Sequence, residues 1–349
     1  MNRTGRICFG RGMRAFGTDF AVPPGYLNTP SVGIPPAPVA AAVAESVERW
    51  RTGAIRPAEF DPWVARARAG FARLLGVGPG DVAMGASASQ LVANVAAALP
   101  AGTRVLAAGG DFTSVTFPFA ANPGVTVTEV PLDVLPSRVE GHDVVAVSVV
   151  QSADGRIVDL PALRAAAEAA GAAVLLDASQ AAGWLPLDVA WADWVVAAGY
   201  KWLLSPRGSA WLAVRPDARE RTRAVAANWF AGEDPWATVY GLPLRLAGDA
   251  RAFDLSPVWL AQVGAAVALE YLGGLDLAQV AAHNVGLADS LLEKLGLPPR
   301  GTAIVSLEAD PGRSAAAGIV SSVRAGRVRV GFHLYNTADD VERVLRAFE

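Results

Sequence analysis

Short apolar runs set the first constraint on this chain. They stand at Val82–Gly85, Arg104–Ala107, Val125–Val130, Val144–Val149, Ala173–Leu176, Trp194–Ala198 and Ala210–Val214. Most are continuous in Val, Leu and Ala rather than alternating, the pattern of strands covered on both faces. Helical periodicity fills some of the gaps, at Gln90–Leu99 and Leu160–Ala170, after a longer pattern from Pro35 to about Leu75. Strand and helix in alternation predict an α/β chain with a mainly parallel sheet. The texture changes after about Asp254. A long helical pattern runs to about Leu295, followed by a strand at Ala303–Leu307, a helix, a strand at Arg327–His333 and a closing helix at Ala338–Phe348. This predicts a smaller α+β domain over residues 251–349, a large domain over 26–250 and an N-terminal arm over 1–25 that packs with the small domain.

Composition narrows the function. Hydrophobic residues make up 52% of the 349 and charged residues 18%, so the chain can build substantial cores. A net charge of -3 without a basic run argues against nucleic acid as a partner. The single cysteine, Cys8, leaves no disulfide within the chain, and His142, His283 and His333 are too scattered for a metal site. Apolar stretches are interrupted before about 18 residues, which argues against a membrane span. The arginines Arg3, Arg6, Arg11 and Arg14 precede no apolar segment, so a cytoplasmic protein is expected. Met13 is an alternative start, which would make the first dozen residues dispensable.

Only two lysines, Lys201 and Lys294, occur among 30 basic residues. Lys294, near the end of a polar-faced helix, reads as a solvated charge. Lys201 follows an apolar strand in Gly199-Tyr200-Lys201-Trp202, a setting that lowers an amine's pKa and makes it a nucleophile for carbonyls. Asp177 closes another buried strand, where open α/β sheets gather ligand groups, and Gln180 follows it. An aspartate there suits a pyridinium nitrogen. The competing interpretation is a rim lysine with a snorkelling stem and a capping aspartate. Gly85-Ala86-Ser87-Ala88-Ser89 joins a strand to a helix and suits a phosphate, although Ser89 equally suits an N-cap. Arg329, inside a strand-like run, suits a carboxylate if it faces a cleft and is otherwise an exposed strand residue. Phe112 suits either ring stacking or the core. Gly10-Arg11-Gly12 with Gly17 does not match a dinucleotide fingerprint.

From Tyr26-Leu27-Asn28-Thr29 to Tyr335-Asn336-Thr337 the chain resembles the class V aminotransferases and their cysteine desulfurase and kynureninase relatives. The most specific match is Leu176-Asp177-Ala178-Ser179-Gln180 with Gly199-Tyr200-Lys201-Trp202-Leu203 and Pro206-Arg207-Gly208. The resemblance implies the fold-type I scaffold, with a mainly parallel seven-stranded sheet, and pyridoxal 5'-phosphate as cofactor. It gives Lys201 the internal aldimine, Asp177 the pyridine nitrogen and Gln180 the ring hydroxyl. Ala88, Ser89 and Tyr200 would hold the phosphate, Phe112 would stack on the ring, and Ser152 would be a polar residue beside the cofactor. Arg329 would bind the substrate carboxylate, with Asn28 in the substrate pocket. Ser256 and Trp229 would approach the phosphate, Ser256 that of a partner subunit, which implies a homodimer.

Desulfurases carry a nucleophilic cysteine shortly before the carboxylate-binding arginine and a histidine on the ring. Here Arg313 to Arg327 contains no cysteine and Phe112 stands at the histidine position. Persulfide chemistry is therefore disfavoured. The expected activity on an α-amino acid is of aminotransferase type, with C–S lysis (β-elimination) or epimerisation as alternatives that Lys201 can also serve. A nucleotide-dependent α/β oxidoreductase and a non-catalytic binding protein are the readings from other classes.

Overall fold

The computed structural model describes residues 12–348. Cys8, Arg3, Arg6 and Arg11, and with them the expectation for the first dozen residues, lie outside the described residues. A hairpin of β1 (Met13–Ala15) and β2 (Thr18–Phe20) leads to α1 (Ala37–Arg51) and α2 (Asp61–Leu75). The single helical pattern expected from Pro35 to Leu75 is thus two helices. Gly53 takes a left-handed φ of 70°, and Pro57 then opens a separate 3-10 turn, so α1 cannot continue.

The large sheet comprises β3 (Val82–Gly85), β4 (Arg104–Ala108), β5 (Thr126–Val130), β6 (Val144–Ser148), β7 (Ala173–Asp177), β8 (Trp194–Ala198) and β9 (Ala210–Val214). Between them lie α3 (Ala88–Ala96), α4 (Thr113–Ala120) and α5 (Leu160–Ala170). The order is β3-β9-β8-β7-β6-β4-β5. The strands from β8 to β5 are mutually parallel, and only β9 runs against its neighbours β8 and β3. The expected mainly parallel, seven-stranded α/β sheet is what the chain forms.

Strand periodicity divides the core in two. Val174 and Leu176 of β7 face one cluster with Phe71 of α2 and Leu163 of α5, while Ala173 and Leu175 face another with Leu91 of α3 and Phe119 of α4. Both faces are therefore apolar, which is why the strands read as unbroken runs. Truncating a residue such as Leu176 to Ala would cost about 2–5 kcal/mol.

The long helical pattern beyond Asp254 is α6 (Trp259–Leu272) and α7 (Leu277–Lys294), separated at Gly273 and Gly274, with the Asp276 carboxylate capping α7. Then follow β10 (Ile304–Leu307), α8 (Pro311–Ala316), β11 (Ser322–Arg324), β12 (Arg327–Gly331) and α9 (Ala338–Phe348). The three strands form an antiparallel sheet ordered β10-β12-β11. Its apolar face shares a core with Leu291 and Leu292 of α7 and Val341 and Val344 of α9. In contrast, α6 packs on α1 and α2, and its Ala265, Leu269 and Leu272 share the large sheet's core. The hairpin joins the C-terminal elements: the Tyr271 hydroxyl donates to the Phe16 carbonyl, and the Phe20 and Tyr335 rings meet at 5.3 Å. Among the described residues no single helix is long and apolar enough to cross a membrane.

Candidate active site

Polar residues gather where the parallel strands end. Ser87 follows β3, Asp111 and Phe112 follow β4, Ser152 follows β6, Gln180 follows Asp177 at the end of β7, and Lys201 follows β8. This rim is where open α/β sheets bind ligands.

Lys201 lies in a tied loop. The Gly199 amide donates to the Ser209 carbonyl (2.8 Å), the Ser205 amide to the Gly199 carbonyl and the Leu204 amide to the Lys201 carbonyl. Leu204 takes a φ of 53°, an uncommon conformation for a non-glycine residue, just beyond the lysine. Gly33 closes over the loop, its amide donating to the Tyr200 carbonyl. A Cβ on Gly33 would lie 2.0 Å from the Lys201 carbonyl oxygen, so only glycine fits. The lysine is 5% exposed. Burial pulls its amine down to about 8, against the opposing pull of Asp177. The arginines Arg329, Arg324 and Arg207 add to the lowering. Nζ stands 5.0 Å from the Phe112 ring centre and 5.8 Å from that of Tyr200, and the Arg207 guanidinium covers the Tyr200 ring at 5.1 Å. Phe112 keeps 41% of its surface exposed, so it is not a core residue.

Asp177 is buried and accepts the Ser179 amide at 2.7 Å. Burial raises its pKa, while the Ser179 hydrogen bonds and the Lys201 charge oppose the rise. Its register partner Ser148 donates both amide and hydroxyl to Asp111, which also accepts the Phe112 amide (2.6 Å) and the Gln151 side-chain amide. Asp111 thus fixes the backbone of Phe112 to the end of β6.

Arg329, from β12, is 1% exposed, which removes the reading of an exposed strand arginine. Its side chain donates to the Ser152 carbonyl, the Ser152 hydroxyl (3.0 Å), the Ser31 hydroxyl (2.9 Å) and the Ser322 hydroxyl (3.2 Å). All are neutral oxygens; among the described residues no carboxylate pairs with it. Burial lowers its pKa to about 9, so it stays charged at neutral pH. Gln180 donates to the Pro30 carbonyl and to the Ser152 hydroxyl, and accepts from the Trp202 indole.

On the other side of the rim, the cap of α3 is Ser87, whose hydroxyl accepts the Gln90 amide. The N-cap reading of Ser89 is corrected accordingly. The helix starts two residues before the expected Gln90, because Ser87 has the extended backbone a cap requires. Ala88 is buried, and the Ser89 hydroxyl lies 3.4 Å from that of Ser87. Within one chain, Trp229 packs edge-on to Phe230 and against Trp236, and Ser256 is exposed. Asn28 bridges to Gly331 through its backbone, and its buried Oδ1 has no partner.

A family model described as aminotransferase class-V matches residues 64–323. The chain belongs to the class-V aminotransferases. Its relatives include an uncharacterized aminotransferase, YcbU, of Bacillus subtilis (strain 168), 28% identical over 80% of this chain and 81% of that one. A kynureninase of Deinococcus radiodurans is 29% identical over 76% of this chain and 70% of the relative. Among solved structures, a cystine C-S lyase in complex with its product cysteine persulfide superposes with a TM-score of 0.83, at 18% identity, covering 93% of this chain and 96% of that one.

In this class-V aminotransferase, sequence reasoning picked out the ends of β7 and β8 but gave no role to Gly33, Asp111 and Trp202. A glycine in Ser31-Val32-Gly33 carries no ligand chemistry, and its role exists only where two distant segments meet. Asp111 sits beside Phe112, and that adjacency was the available signal.

Proposed function

We propose that the chain binds pyridoxal 5'-phosphate and transfers the amino group of an α-amino acid. The observation that carries this is a buried, depressed amine at Lys201 close to a buried guanidinium, Arg329, that has no acidic partner among the described residues. The residues present fit the cofactor. Lys201, Arg207, Arg324 and Arg329 bear on one site with Asp177 as counter-charge, which suits a ligand of phosphate and carboxylate anions. When bound, the cofactor supplies an electron sink for the carbanion character that develops at the substrate Cα.

The chain's own residues do the rest. Lys201 Nζ is neutral for much of its population near pH 8, so it anchors the cofactor and carries the Cα proton. Asp177 holds the pyridine nitrogen protonated by charge. Phe112 offers its exposed face to the ring, and Ser152 and Gln180 line the ring-hydroxyl side. Ala88, Ser89 and Tyr200 border the phosphate end, where the N-terminus of α3 favours an anion. Arg329 orients the substrate through its carboxylate, beside Asn28. Ser256 and Trp229 act at the phosphate in a homodimer, which the exposed apolar side chains of Trp50, Tyr240 and Leu242 support.

The test begins with purified protein and pyridoxal phosphate. A visible band should form, and borohydride should fix the cofactor on the peptide containing Lys201. Amino acids should then bleach the band, and a keto acid should restore it. Pyruvate and ammonia formed without an acceptor would assign the site to elimination instead. A monomer that retains bound cofactor would remove the roles given to Ser256 and Trp229.

A further inference from the structure

One face of the small sheet is cationic. Residues two apart on a strand share a face, so Arg327 and Arg329 of β12 lie on the side away from Val328 and Val330, which face the core. The register sets Ser322 of β11 opposite Arg329, and Arg324 opposite Arg327. Side-chain contacts follow that alignment. Arg329 donates to the Ser322 hydroxyl at 3.2 Å, and Arg327 donates at 3.2 Å to the hydroxyl of Ser306, which lies opposite Arg329 on β10. The turn joining the strands is two residues, Ala325 and Gly326, with φ values of 48° and 75°. Such a turn fixes the pairing, so Arg324 and Arg327 are held directly across from one another. Like charges in that relation repel.

The two arginines are matched differently. Arg327 forms an ion pair with Glu308. Arg324 is exposed, and its guanidinium donates to the Val323 carbonyl at 2.7 Å. Among the described residues no carboxylate pairs with it. Its charge nevertheless reaches inward and acts on both Lys201 and Arg329. Of the other arginines acting on Lys201, Arg207 covers the Tyr200 ring, and Arg329 is held by serine oxygens. Arg324 stands diagonal to Arg329, and diagonal neighbours on a strand pair lie about 7–8 Å apart. Two guanidinium forks so placed suit a molecule with two acidic groups.

We infer that Arg324 is a specificity-determining residue, and that the amino acid taken by this site carries a second carboxylate on its side chain. The inference rests on the proposed function, in which Arg329 holds the α-carboxylate. Arg324 receives the other one. The second carboxylate also relieves the repulsion across β11 and β12, which a neutral side chain leaves in place.

The experiment titrates the cofactor-loaded protein with aspartate and glutamate, and with asparagine and glutamine, which match them in size without the side-chain charge. Binding is read from the change in the visible band. At least one acidic amino acid should bind about tenfold more tightly than its amide. Raising the salt concentration should shrink that preference, because Arg324 is exposed. Arg324→Gln should abolish the preference and leave cofactor uptake, measured by equilibrium dialysis, intact. Arg324→Lys should retain part of the preference, since it keeps the charge without the planar fork. A wild-type protein that binds acids and amides alike would overturn the inference, as would a preference that survives in Arg324→Gln. Loss of cofactor affinity in Arg324→Gln would also overturn it and assign the arginine to the phosphate. A wild-type protein that develops no band with pyridoxal phosphate overturns the functional reading itself.

Discussion

Arg68 and Asp254 form a buried two-pronged ion pair, with arms of 2.6 and 3.1 Å. The pair joins α2 to the segment before Ser256. Asp254 also accepts the Met84 amide at 2.7 Å, and Arg68 donates to the Val82 carbonyl, so the pair clamps β3 at Val82 and at Met84. Burial raises the Asp254 pKa and Arg68 opposes the rise. Removing one partner strands a buried charge. Arg68→Met should cost about 3–5 kcal/mol in denaturant unfolding, and a double replacement with an uncharged partner at Asp254 should recover part of it. A single variant as stable as wild type would refute the clamp.

The Lys201 amine titrates at about 8, so its nucleophilic fraction grows as pH rises to that value and levels off above it. The rate at which added pyridoxal phosphate develops its visible band should increase about tenfold per pH unit below 8. Stopped-flow mixing between about pH 6 and 10 measures this. Lys201→Arg should show no such band, since a guanidinium stays protonated.

Arg329 should discriminate carboxylates from other substrate groups. Arg329→Leu removes the buried charge and should weaken amino-acid binding by roughly 30-fold or more, the equivalent of about 2 kcal/mol. Simple amines that lack the carboxylate should bind both proteins equally. Titrating the visible band with each ligand decides the point.

His333, just beyond β12, links the C-terminal elements to the lysine loop. Its Nε2 lies 3.1 Å from the Trp202 carbonyl and its Nδ1 3.3 Å from the Asn284 amide nitrogen, so Nε2 donates and Nδ1 accepts. Burial pushes its pKa down to about 3, from 6.5. The unfolded chain therefore binds one more proton than the folded one between these values. Stability contributed by the neutral ring is intact above 6.5 and falls by up to about 1.4 kcal/mol per pH unit below it. His333→Gln should lower the slope of unfolding free energy between pH 6 and 4 by about one proton. An unchanged slope would contradict the assignment.

Lys201 was legible because its setting is local: apolar strand, aromatic flank, a lysine where arginine prevails. Asp177 and Gln180 share that advantage. The seven strands of the large sheet and β10 and β12 of the small one were legible from apolar runs, whereas β1, β2 and β11 were not; nor was α4, since Pro118 sits inside it and hides the period. The broken helices were blurred because Gly53 and Gly273 interrupt patterns whose apolar phase nevertheless continues. Arg329 showed its charge but not its burial, and burial is what decides its chemistry. The Ser152 junction was out of reach: three segments distant in sequence bring Gln180, Ser152 and Arg329 together, and none of them signals the others.

Strand β9 turns back along β8, and this reversal has an evolutionary reading. The lysine loop begins and ends on adjacent strands of the same sheet, sealed by the Gly199–Ser209 hydrogen bond. A crossover loop would transmit every shift of its distant helix to the residue it carries. A loop sealed at its own neck does not, so its reactive amine keeps its place while surrounding segments drift. Segments around the loop can then diversify about a fixed anchor.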